Sequence, residues 1–238
     1  MNWIVPKIWE GGEVWILGGG PSVIEQFNIP KRVVQNVLGG QAPPSAYSPY
    51  MKSIHNKHVI GINVSFLIGN WMDMVFFGDS GFFLGQQNNL ANFPGIKVTC
   101  HPHAGKKDWV KYLARDNSHP RGISSNPRMV SWNSNSGSAA ISLAAHTGAK
   151  RIILLGFDMK LDDESKQHWH DAYHRLASLT ENTRNKALPF NHHLKGFPEI
   201  AKDAKKMGIE ILNASPDSAI DVFEKVNVKD LLSVKELV

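Results

Sequence analysis

Short apolar runs recur along the chain, each closed by glycine or a small polar residue and followed by a stretch with helical spacing. Val14–Leu17, His58–Asn63, Asp73–Asp79, Ile96–Cys100 and Arg151–Gly156 are too short and too rich in β-branched and aromatic residues for helices. They read as buried strands, and Met129–Trp132 and Ile209–Leu212 add two more. Ala139–His146, made of small residues, and Phe197–Met207, stopped by Gly208, read as helices. Strands that are apolar throughout, alternating with helices, predict an α/β fold. The expectation is a single Rossmann-like domain over 1–238, a mostly parallel sheet with helices on both faces. Segments 39–56, 101–128 and 160–194 are expected as loop or lid insertions, with one short helix near Trp109. The polar turn at Asn213–Ser218 is expected to lead into a short helix.

Composition narrows the class. At 238 residues the chain can bury one full core. The single cysteine, Cys100, excludes an internal disulfide framework and suits a reducing cytoplasm. Nothing resembles a secretory leader or the roughly 20 apolar residues of a membrane span, so a soluble cytoplasmic protein is expected. The net charge of +5 favours an anionic small-molecule substrate. Lysines and arginines are scattered and form no block of five, which argues against a nucleic-acid partner. A Gly-x-Ser-x-Gly elbow and zinc-spaced Cys/His sets are missing, which argues against the common hydrolases and zinc enzymes. Oligomeric state is not encoded in any of these features.

The chemistry concentrates where strands end. After Val14–Leu17 come Gly18, Gly19 and Gly20, then Pro21 and Ser22. Three glycines permit a tight turn and close approach to a ligand, and Pro-Ser suits a helix opening, so the expectation is an anion site for a nucleotide phosphate. The spacing is neither Gly-x-Gly-x-x-Gly, which fails at Val23, nor a Walker loop. Other strand ends carry Asn63, Asp79, Asn135, Ser136, Gly137, Asp158 and Asn213–Ser218. In open parallel sheets such ends surround one ligand. His168, Trp169 and His170 stand apart: in an extended segment both imidazoles point to one side, toward a phosphate or a metal, or as an acid and base. His174 is nearby, and Asp171 can cap a following helix. His146 is expected to be a packing histidine, and Phe76, Phe77, Phe82 and Phe83 core.

Gly-Gly-Gly-Pro-Ser, the Ile-Asn strand end and Ser-Gly-x-x-Ala-x-x-x-Ala-x-x-x-Gly-Ala-x-x-Ile-x-Leu-x-Gly-x-Asp over 136–158 resemble the bacterial family 42 sialyltransferases. They are equally similar to the MptE-like 6-hydroxymethylpterin diphosphokinase domain. The resemblance runs from about residue 13 to 223, with gaps at 39–56 and 101–128. Within this group the chain is similar to small phage proteins, through Trp9-Glu-Gly-Gly, Gly-Phe-Asp-Met at 156–159 and His-Trp-His at 168–170. A phage origin would place it in the host cytoplasm.

The sialyltransferase resemblance implies a metal-independent transferase that uses a nucleotide-activated sugar donor. It implies phosphate contacts from Gly18, Gly19, Gly20 and Ser22, and nucleoside contacts from Asn63 and Ser136. The implied base is a histidine before the penultimate helix, which falls on His192 or His193, with His168 or His170 as second candidates. The chain departs from that family in having Asp79 at the third strand end and in carrying His-Trp-His. A carboxylate beside a nucleotide implies a divalent ion. The diphosphokinase resemblance accordingly implies Asp79 and Asp158 as ligands of Mg²⁺ on ATP. A third expectation is a phage protein that binds a nucleotide without turnover.

Overall fold

The computed structural model describes residues 3–170 and 189–233. The strands are β1 (Glu13–Leu17), β2 (His58–Ile62), β3 (Met74–Phe77), β4 (Ile96–Thr99), β5 (Lys111–Tyr112), β6 (Ala114–Arg115), β7 (Met129–Val130), β8 (Arg151–Leu155), β9 (Glu210–Asn213) and β10 (Glu224–Lys225). The helices are α1 (Ser22–Gln26), α2 (Lys31–Leu38), α3 (Ser80–Asn92), α4 (Ser136–His146), α5 (Phe190–Leu194), α6 (Phe197–Met207) and α7 (Val228–Ser233). Eight strands form one sheet in the order β10-β9-β8-β1-β2-β3-β4-β5. Every neighbouring pair in it is parallel. The α/β class and the parallel sheet expected from the pattern are what the chain adopts.

Alternation along the strands explains why both faces are covered. Val14 and Ile16 of β1 join Ile60, Met74, Phe76, Ile152 and Leu154 in one core, with α4 and α6 packed on it. Trp15 and Leu17 point the other way and join Val59, Val75, Phe77, Ile153 and Leu155 in a second core. There α1, α2 and two 3-10 helices, Pro44–Ile54 and Asn63–Ile68, supply the cover. A period of two with apolar residues on both faces is the signature of a strand buried on both sides. The helix α4 is buried along its whole length, and its alanines and serines let it lie close on the sheet.

Four local expectations are corrected. Met129–Val130 does not join the main sheet but pairs with β6 in a two-stranded sheet, and Asn133 and Ser134 at positive φ turn the chain directly after it. No helix forms near Trp109, where a short 3-10 turn at Ala104–Lys106 precedes the edge strand β5. The turn after Asn213 leads into β10 before any helix. Part of the loop expected at 39–56 is a 3-10 helix whose Tyr47, Met51 and Ile54 are buried. Segment 171–188 of the expected lid, with Asp171 and His174, lies outside the described residues.

The turn out of β1 is tight because the end of β8 lies against it. A Cβ at Gly18 would sit 2.7 Å from the Gly156 carbonyl oxygen and 3.2 Å from that of Leu155. Both obstacles are backbone, so neither can swing aside. Gly18→Ala is expected to destabilise the protein by about 2–3 kcal/mol in urea unfolding. Gly81, in the exposed first turn of α3, has nothing within 4 Å of an added Cβ. Gly81→Ala is expected to stabilise by about 0.5–1 kcal/mol through helix propensity alone.

Candidate functional site

β1 pairs with β2 on one side and β8 on the other, so successive connections leave it in opposite directions. Such a switch point opens a crevice at the carboxyl ends of the two strands. A cavity of about 300 Å³ lies there. The end of β1 contributes Gly18, Gly19 and Gly20, the end of β2 contributes Asn63, and the end of β3 contributes Asp79. Asn135, Ser136 and Gly137 enter from the start of α4, Asp158 from beyond β8, His168 and His170 from the segment after it, and His193 from α5. Residues separated by up to 175 positions thus face one space. Pro21, Ser22 and His192 are not among its lining residues. Asn213 is fully buried away from it, while Ser215 and Ser218 brace the loop after β8 through the Phe157 amide and carbonyl.

The glycine bend spends two of its amides within the protein. The Gly18 amide donates to the Leu155 carbonyl at 2.7 Å and the Gly20 amide to the Gly156 carbonyl at 2.9 Å. The Ser22 amide donates to Asp158 Oδ1 at 3.2 Å, and the Ser22 hydroxyl to Asp158 Oδ2 at 2.9 Å. These donors serve the protein itself, and Ser22, expected as a phosphate ligand, clasps a carboxylate. A Cβ at Gly20 would lie 1.8 Å from Asp158 Oδ2. The missing side chain makes room for the chain's own aspartate, which occupies the α1 N-terminus where an external anion was expected. Asp158 is only 7 % exposed, and burial pushes its carboxyl up to about 6 despite the bonds from Ser22.

The helix end that faces the cavity is that of α4. Asn135 caps it, its side chain accepting from the Ser138 amide at 3.0 Å. Ser136 and Gly137 form the first turn at the cavity wall, where the eleven-residue helix directs the positive end of its dipole. Ser136 Oγ donates to Asp79 Oδ2 at 3.3 Å. Asn63 takes a positive φ of 49° at the end of β2, and its Oδ1 is buried without a hydrogen-bond partner among the described residues.

Two histidine groups stand in the cavity wall. His168 and His170 stack with ring centroids 5.0 Å apart and planes within 2°. The intervening Trp169 is fully buried; its indole N–H donates to the Gly18 carbonyl and its backbone amide to the Gly19 carbonyl, both at 3.0 Å. Tyr47 Oη donates to the Trp169 carbonyl at 3.1 Å. His193 projects from α5 into the cavity, whereas its neighbour His192 is exposed. Burial and the neighbouring His192 hold the His193 imidazole below its usual pKa, and Asp79 partly offsets them.

Trp132, Lys160 and Phe190 also line the cavity and were not singled out by sequence reasoning. Trp132 ends an apolar run, a signal that could have found it, and the Arg115 guanidinium lies 3.8 Å from its ring centroid. Lys160 follows Asp158 by two positions, a weak signal, and brings a cation to the rim. Among the described residues no group of three or more His, Cys, Asp or Glu is arranged to hold a metal. No described helix is long and apolar enough to cross a membrane. His146, as expected, is a packing residue bonded to the Met129 carbonyl at 2.9 Å.

No family model matches the chain, and no curated protein matches it in sequence. Solved structures do. The monofunctional α-2,3-sialyltransferase Cst-I from Campylobacter jejuni superposes with a TM-score of 0.53 at 12% identity, over 91% of this chain and 80% of the other. A variant of the sialyltransferase CST-II in complex with CMP superposes with a TM-score of 0.50 at 15% identity, over 90% and 86%. At these identities the likeness establishes a shared fold.

The buried clasp predicts a pH signature. A carboxyl that titrates near 6 in the fold and at its ordinary 3.8 when unfolded stays protonated in the native state between those values. Its contribution to stability is therefore complete below about pH 4 and is lost as pH rises through about 6, by about 3 kcal/mol at most. Asp158→Asn keeps an acceptor for the Ser22 amide and removes the titration. The variant is expected to lose the wild-type decline in Tm between pH 4 and 7, and an unchanged decline would show that Asp158 is not its source.

Proposed function

We propose that this chain is a glycosyltransferase that moves a sugar from a nucleotide-activated donor to an acceptor hydroxyl. The observation that carries this reading is the convergence of Gly19, Asn63, Asp79, Ser136 and His193 on one cavity at the switch point of a sheet shared with sialyltransferases. Crevices of this kind in parallel sheets hold nucleotides. One of the structural relatives was solved in complex with CMP, which makes a cytidine nucleotide the first donor to test.

In this reading Asn63 and Ser136 hold the nucleoside portion beside the first turn of α4. His193 is the base. Its lowered pKa keeps the imidazole neutral at pH 7, ready to accept a proton. The acceptor oxygen forms the new bond to the anomeric carbon, the bond from that carbon to the phosphate oxygen breaks, and the hydroxyl proton passes to His193. Asp79, whose charge raises the His193 pKa against the effect of burial, stabilises the imidazolium that results. This gives the aspartate at the third strand end a role that needs no metal.

The diphosphokinase reading calls for Asp79 and Asp158 to share a Mg²⁺ on a nucleoside triphosphate. Both oxygens of Asp158 accept hydrogen bonds from Ser22, and Asp79 accepts one from Ser136. The residues present do not fit that ion, so the arrangement favours glycosyl transfer.

His193→Ala is expected to lower kcat by roughly 10²–10⁴-fold for turnover of a CMP-activated sugar, with donor affinity retained. His192→Ala, exposed and outside the cavity, is expected to stay within about threefold of wild type. Product formation followed by chromatography checks both, and a His193→Ala enzyme with full activity removes the base from the mechanism.

A further inference from the structure

The cavity is electrically lopsided. Asp79 lies on the wall that also bears His193, while Lys160, His168 and His170 come from the segment after β8. The α1 N-terminus is taken by Asp158, so the glycine bend offers no helix end to an anion. Any ligand with a charged phosphate is repelled by the Asp79 carboxylate and drawn toward the imidazole and ammonium donors. Those donors are built in, not incidental. His170 is 6 % exposed, the two rings are parallel, and the buried Trp169 that separates them in sequence is held by three hydrogen bonds, one from its indole to the β1 turn and two through its backbone to the β1 turn and Tyr47. Gly19 completes the fit: a Cβ there would stand 2.9 Å from His168 Nδ1 and 3.5 Å from His170 Nε2.

We propose that the stacked His168 and His170, with Lys160 at the rim, form the phosphate-binding wall that receives the departing nucleotide. The inference rests on the nucleotide-donor reading and assigns to side chains the charge stabilisation that a divalent ion supplies in other nucleotide enzymes. When the bond from the anomeric carbon to the phosphate oxygen breaks, both electrons stay on that oxygen. Imidazole N–H groups and the Lys160 ammonium then bond to the charge that has grown there. The intact donor's phosphodiester carries one negative charge and the departing phosphate gains a second, and hydrogen bonds strengthen with acceptor charge, so the wall grips the product side of the step more firmly than the intact donor. The nucleoside, by contrast, touches Asn63 and Ser136 and is indifferent to the wall.

The test separates phosphate from nucleoside. CMP and cytidine are titrated calorimetrically into wild type and into the His168→Gln/His170→Gln double variant in the presence of EDTA, with AMP and adenosine as a second pair. The expected result is a loss of about tenfold or more in monophosphate affinity, with nucleoside affinity within about twofold. Equal losses for both ligands would mean that the histidines only shape the site, and equal retention of both would mean that the phosphate lies elsewhere; either overturns the inference and leaves the transferase reading standing. A wild type that binds none of these ligands would overturn the nucleotide reading, and this inference with it. Lys160→Met, at an exposed position, is an independent variant with no folding cost: it is expected to weaken CMP at least threefold and to leave cytidine unchanged. CMP binding that is unaffected removes Lys160 from the wall.

Discussion

The grip of Asp158 on Ser22 holds the site together. It joins the ends of β1 and β8, the two strands whose divergence opens the crevice, and it is a contact across 136 residues. Together with the Gly18 and Gly20 amide bonds to Leu155 and Gly156, it fixes the separation of two connections that leave the sheet in opposite directions. The carboxylate also consumes the donors at the start of α1, which decides what the rest of the crevice must provide. A second helix, α4, and side chains from the far loops therefore supply the polar groups that the glycine bend was expected to offer. Desolvating a carboxylate is costly, and two hydrogen bonds from a single serine offset only part of that cost.

The electrostatic layout follows from the same clasp. With Asp158 clasped by Ser22, Asp79 is the carboxylate that acts on His193, and Lys160, His168 and His170 reach the cavity from the segment after β8. In the proposed transfer, His193 beside Asp79 takes the hydroxyl proton while the N–H groups of His168 and His170 meet the charge on the departing oxygen, so one cavity supplies two different environments.

Much of the scaffold was legible in the chain because strands buried on both faces carry little except apolar residues, and a parallel sheet places all their polar ends on one side. From Val14–Leu17, Asn63, Asp79 and Ser136 alone, a shared cavity could be anticipated. The division of labour within it could not. Nothing near Gly20 announces that its missing side chain admits Asp158 rather than a phosphate, because the partner is fixed only by the pairing of β1 with β8. Adjacent histidines 192 and 193 look interchangeable in sequence; a helix turns each residue by about 100°, and α5 aims one inward and the other at solvent. Met129–Val130 has strand chemistry yet pairs outside the main sheet, and the left-handed turn that follows it at 133–134 is braced by the contact of Asn133 with Gly122.

The outermost strands, β5 and β10, span two residues each and carry lysine or glutamate. Eight parallel strands would ordinarily present two long unpaired ladders to any other chain that came alongside. Here, among the described residues, the ladders taper to stubs that carry charged side chains, a device that discourages strand addition at either border. The crevice between β1 and β8 lies inside the sheet, with three strands on one side of it and five on the other, so it is lined by strand ends that have neighbours on both sides.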